Sequence, residues 1–137
     1  MLSKSKKIVI ILFCIYLCLV FFLCFLHLGA GANVTMTKEV MGIRVDRILH
    51  FLLFFPFPIL AGMIIYKKDR KPVNTILYAV GIFLTGCVLA GATELGQSLT
   101  SYRSCNVNDF RADALSLAIS TLTLLIVIMF KKPIVNV

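Results

Sequence analysis

The stretch "VNTILYAVGIFLTGCVLAGAT", residues 73–93, runs for 21 residues without a charged side chain. At 1.5 Å of rise per helical residue it reaches about 30 Å, the thickness of a bilayer's hydrocarbon core. Its apolar residues are continuous, whereas the strands of an outer-membrane barrel alternate apolar and polar positions. Glycine and alanine recur along it, and small residues let membrane helices approach closely. A transmembrane helix is the reading that satisfies all three features.

Three more runs have the same character. Residues 8–28 are uncharged apart from His27, residues 48–66 are rich in Phe and Leu, and residues 114–130 are aliphatic. The fold class read from these runs is all-α: an integral membrane bundle of four transmembrane helices, with residues 1–137 as a single domain. Composition agrees, since 60% of the 137 residues are hydrophobic and 15% charged. A soluble core of that size cannot hide so much apolar surface. Pro56 and Pro58 fall inside the second run and predict a kink there, because proline supplies no N–H to the helix ladder.

The net charge of +8 sits in short clusters beside apolar runs, not on a polar face studded with aromatics. It therefore points to membrane orientation, and no nucleic-acid partner is expected. Lys4, Lys6, Lys7, Lys67, Lys68, Arg70, Lys71, Lys131 and Lys132 fall on one side of a four-span topology. Lys38, Arg44, Arg47, Arg103 and Arg111 fall on the other, offset by Glu39, Asp46, Asp109 and Asp113. The positive-inside rule then places both termini in the cytoplasm.

A rival reading treats the N-terminal "KSKK", its apolar run and "AGA" at residues 30–32 as a secretory signal with a small-residue cleavage site. The run exceeds the length usual for such signals, so a retained first helix is preferred. "NVT" at Asn33 matches a glycosylation sequon, a motif too short to be specific. Four of the five cysteines lie within apolar runs and read as small hydrophobes; only Cys105 lies in a polar stretch.

The third run ends in "ELGQSLTSYRSCNVNDFRAD", residues 94–113, which carries half of the chain's acidic residues. Gly86, Ala90, Glu94 and Gln97 follow steps of four, four and three along one helical stripe, which aims Glu94 and Gln97 into the bundle. Asp109, Asp113, Ser116, Ser120 and Thr123 form a second stripe at steps of four, three, four and three. The second run opens with "VDRILHF", where Asp46 and His50 are one turn apart and Arg47 stands beside them. Three helix ends thus bring Asp46, Arg47, His50, Glu94, Gln97, Arg103, Asp109 and Asp113 to one depth. Ionisable groups facing a bundle interior are costly unless paired, and as a set they read as a ligand-binding site. Taken singly each has a blander role: Asp109 as a helix cap, His50 as an interfacial residue, the serines as donors to their own helix.

These residues resemble the VanZ-like family of small bacterial membrane proteins. That family carries Asp-(Lys/Arg)-x-x-His-Phe at a helix start, Glu-x-x-Gln at a later helix end, then an Arg, then Asp-x-x-x-Asn-x-x-Gly opening the next helix. Here the pattern reads Asp46, Arg47, His50 and Phe51, then Glu94 and Gln97, then Arg103, then Asp109. Asp113 stands where the family has Asn, and Ser116 where it has Gly. The likeness covers roughly residues 46–120. It implies a multi-span protein of the bacterial cytoplasmic membrane, in a family whose founding member is associated with teicoplanin resistance and whose biochemical mechanism is unassigned.

Three function classes use the same residues. In the first, a lipid-linked or headgroup ligand binds at the outer face, with arginines on phosphate and carboxylates on sugar or amine groups. Its partners are membrane lipids and lipid-linked envelope precursors. In the second, a membrane hydrolase or transferase uses His50 as base, held by Asp46, with Glu94 and Asp113 sharing a proton. In the third, a proton or solute path runs down the stripe from Asp113 to Thr123. A metal site from His50, Glu94 and Asp109 is conceivable, but no pair of them shows diagnostic metal spacing, so neither metal nor cofactor is expected.

Overall fold

The computed structural model describes residues 4–25, 39–65, 71–99 and 106–130. They form five helices and one short ribbon: α1 (Lys4–Phe25), β1 (Glu39–Val40), β2 (Ile43–Arg44), α2 (Val45–Phe54), α3 (Pro56–Ile65), α4 (Pro72–Ser98) and α5 (Val107–Phe130). With α2 and α3 taken as one segment, Val45–Ile65, four helices are long and apolar enough to cross a membrane.

The segment Val45–Ile65 breaks at Phe55, where the sequence predicts a kink. Pro56 and Pro58 cannot donate to the carbonyls one turn earlier. Three side-chain hydroxyls brace the carbonyls around the break. Tyr16 donates to the Leu53 carbonyl at 2.7 Å, Ser116 to Phe51 at 2.5 Å and Ser120 to Phe55 at 2.6 Å. The two serines therefore do not bond their own helix. Thr123 does, donating to the Ile119 carbonyl, and it is exposed. The polar stripe on α5 ends inside the bundle at Ser120 and Thr121 instead of running on through Thr123.

Helix α5 is the hub, packing against α2, α3 and α4, while α1 leans on α3 and α4. Val20 and Cys24 are the buried residues of α1, and Ile8, Ile11, Leu12, Ile15 and Phe22 face outward, as expected of a support helix. The stripe on α4 is buried throughout at Ala79, Ile82, Gly86, Ala90, Glu94 and Gln97. Close packing needs its glycine: a Cβ on Gly86 would sit 2.6 Å from a Leu117 methyl and 3.1 Å from the Phe57 ring.

Helix ends differ from the apolar runs. Helix α1 starts at Lys4, four residues before its run, and α4 continues to Ser98, five residues past its run. Helix α5 starts at Val107, before the charged Asp109 and Asp113. Glu94, Gln97, Asp109 and Asp113 are thus helical, where hydropathy alone places them in a loop. Between α1 and α2 the chain adds an element with no helix in it. Strands β1 and β2 pair antiparallel, Glu39 with Arg44 and Val40 with Ile43. Met41 (φ +54°) and Gly42 (φ +78°) turn the chain between them. A two-residue turn with both central residues at positive φ matches the twist of a hairpin, and glycine adopts it without strain.

Candidate functional site

The polar residues of three helices meet at one end of the bundle. Asp46, His50, Glu94, Gln97, Asp109 and Asp113 are all buried, and Asp113 is entirely shielded from solvent. Among the ionisable groups, Asp113 and His50 form the shortest cross-helix contact, with Nδ1 of the ring 3.2 Å from each carboxylate oxygen. Glu94 Oε1 approaches the same Nδ1 at 3.6 Å. The imidazole therefore stands between two carboxylates from two other helices. Asp46, one turn away on its own helix, is not what holds it.

Asp46 instead organises the ribbon. Its Oδ2 accepts from Arg44 Nη2 at 2.5 Å, and its Oδ1 accepts from the Arg47 backbone N–H at 2.8 Å. Arg44 was not among the sequence-selected site residues. Its signal is position: Arg44 is the extended residue directly before α2, within side-chain reach of Asp46 in the helix's first turn. Arg47 turns towards α5, with Nε 3.7 Å from Asp109 Oδ1. Both arginines are half-buried, about a third exposed at the rim, and neither Nε has a hydrogen-bond partner.

Helix α5 begins on Asn106, whose side-chain oxygen accepts from the Asn108 N–H at 3.0 Å. That cap frees Asp109 to turn inward instead of serving the helix end. The Asn106 N–H donates to Glu94 Oε2 at 3.2 Å, which ties the start of α5 to the end of α4. Two inward acceptors are left without a hydrogen bond, Glu94 Oε1 and Asp109 Oδ1.

Other expected members do not join. Gln97 is buried but donates to the Cys24 carbonyl at 3.0 Å, fastening α1 to α4. Arg111 is exposed and reaches Asn108 Oδ1 at 3.4 Å, away from the carboxylates. Arg103 and Cys105 lie outside the described residues, as do the basic connection at 67–70 and the pair at 131–132. A groove of about 630 Å³ between α1, α3 and α4, lined by Phe13, Phe57, Tyr78 and Ile82, includes none of the centre's residues.

The arrangement has a chemical bias. Four carboxylates face two guanidiniums and one imidazole, with the arginines at the rim and the acids inside. Such a centre can accept hydrogen bonds from amine or hydroxyl groups, hold a cation, and offer guanidinium donors to an anion at its edge. The chain matches no protein-family model, no curated protein and no solved structure.

Proposed function

We propose that the chain is a VanZ-like multi-pass protein of the bacterial cytoplasmic membrane that binds a lipid-linked or lipid-headgroup ligand at the outer face of the bundle. Reduced access of teicoplanin to lipid-linked cell-wall precursors would be one consequence. A single observation carries the reading: a buried acid–histidine centre flanked by two arginines whose side chains remain about a third exposed. The partly exposed guanidiniums suit a headgroup phosphate, and the acids behind them suit its amine or hydroxyl groups. The order of the Asp46–His50, Glu94–Gln97 and Asp109 motifs supports the family assignment, and the distribution of Lys and Arg supports the sidedness.

The test is lipid retention. In nanodiscs, the Arg44→Gln/Arg47→Gln chain is expected to hold anionic headgroup lipid about tenfold less tightly than the wild type, with unchanged helicity. Equal retention by both chains rejects the reading. Labelling Cys105 with a membrane-impermeant maleimide from outside intact cells checks the sidedness.

A second reading, hydrolysis or group transfer on an envelope lipid, is favoured by the His50–Asp113 pair. A base oriented by a shielded carboxylate is the arrangement that activates nucleophiles or water. Purified protein would then turn over a lipid pyrophosphate, and His50→Gln would abolish turnover while leaving headgroup retention in place. Transport draws no comparable support, because the hydroxyls of Ser116 and Ser120 are committed to carbonyls and Thr123 faces outward.

A further inference from the structure

We propose that His50, Glu94 and Asp109 form a binding site for a divalent transition-metal ion. One ring nitrogen of His50 and one carboxylate oxygen from each acid all lie within 4.8 Å of one another. Around an ion with bonds of about 2.0–2.2 Å, such ligands stand roughly 3–3.5 Å apart. A gap of about an ångström then remains to be closed on binding.

A second observation points independently to a ligand. Glu94 Oε1 and Asp109 Oδ1 are buried atoms without a hydrogen-bond donor, on residues only 2% and 6% exposed. Buried acceptors left unsatisfied are destabilising, and carboxylate oxygens more so. The nearest positive groups stand off, His50 Nδ1 at 3.6 Å and Arg47 Nε at 3.7 Å. A divalent ion between the two oxygens would satisfy both and offset the surplus of acid around them.

The shell behind the three residues fits the same role. Asp113 holds the His50 ring at Nδ1, which leaves Nε2 as the nitrogen to ligate. Carboxylates commonly orient metal-binding histidines through the other ring nitrogen in this way. Asn106 fixes the other oxygen of Glu94, and Arg47 flanks Asp109. One imidazole with two carboxylates suits Zn²⁺ or Mn²⁺, whereas Ca²⁺ and Mg²⁺ prefer oxygen alone and Cu⁺ prefers sulfur. Three protein ligands leave a coordination position open. The site stands without the headgroup reading; only a phosphate oxygen as occupant of that open position would rest on it.

The test uses Mn²⁺, which thiolates do not compete for, on chelator-treated full-length protein in a non-ionic detergent. Electron paramagnetic resonance is expected to show one bound Mn²⁺ per chain, released stoichiometrically by Zn²⁺, which binds the same ligands more tightly. Glu94→Gln and Asp109→Asn should each weaken binding at least tenfold, Asp113→Asn about tenfold through ring orientation, and Glu39→Gln on the exposed ribbon not at all. Since the acid variants also disturb packing, the wild type supplies a separate readout: nitrogen modulation in the spin-echo decay of bound Mn²⁺, from His50. Absence of bound Mn²⁺, binding unchanged in both acid variants, or bound Mn²⁺ without nitrogen modulation overturns the proposal.

Discussion

The Asp113→Leu chain is expected to lose about 3–5 kcal/mol of stability. Asp113 is fully shielded, and both of its oxygens lie 3.2 Å from His50 Nδ1. Leucine would leave the imidazole and Glu94 facing each other without the carboxylate that anchors the ring, in a place water does not reach. Removing one member of a buried pair costs far more than replacing both by apolar groups. His50→Leu/Asp113→Leu should therefore regain a large part of the loss. Asp113→Asn keeps an acceptor for the ring nitrogen and should stay within about 1 kcal/mol of the wild type. Unfolding by increasing sodium dodecyl sulfate in mixed micelles, followed by circular dichroism, ranks the four chains. If leucine and asparagine unfold at the same point, the contact is not what holds this end of the bundle.

The second large effect belongs to Gly86. Leucine there is expected to cost about 3 kcal/mol, the upper end of what overpacking a filled interior does. The first side-chain carbon would already press on Leu117 and Phe57, and Leu117 has no exposed surface into which to retreat. Without a hydrophobic drive between helices inside lipid, this close packing is a principal source of cohesion. Gly81, on the same helix, has nothing within 4 Å of an added Cβ. Gly81→Leu should therefore leave the unfolding midpoint within about 0.5 kcal/mol, as substitutions away from packed contacts usually do. Equal behaviour of the two glycine variants would show that α4 and α5 are not held by this contact. Because α4 carries Glu94 and α5 carries Asp109 and Asp113, the Gly86 variant should also release Mn²⁺.

How far the sequence could be read depends on which physical signal each feature leaves in it. Continuous apolar runs mark the four spans, and Pro56 and Pro58 mark the break at Phe55. The spacing of Gly86, Ala90, Glu94 and Gln97 marks a stripe whose burial follows from helical periodicity alone. Helix ends were harder, because hydropathy falls at Glu94 while the backbone stays helical to Ser98, with one oxygen of the acid held inward by the Asn106 N–H. Pairings were hardest. Asp46 and His50 are one turn apart and invite each other as partners, yet Asp46 is taken by Arg44 and His50 by a residue 63 positions away. Local period gives a face, and only the docked helices decide who meets whom on it. The ribbon at Glu39–Arg44 escapes for another reason: its strands are two residues each, too short for alternation to register.

The reach from His50 to Asp113 has a consequence for synthesis. Helices α2 and α4 leave the ribosome before α5, so in a membrane-inserted chain His50 and Glu94 would precede both inward aspartates into the bilayer. Until α5 inserts, such a nascent chain would display an imidazole and an acid that lipid solvates poorly. Helix α5 carries the carboxylate that pairs with the imidazole, so this end of the bundle closes only when α5 docks.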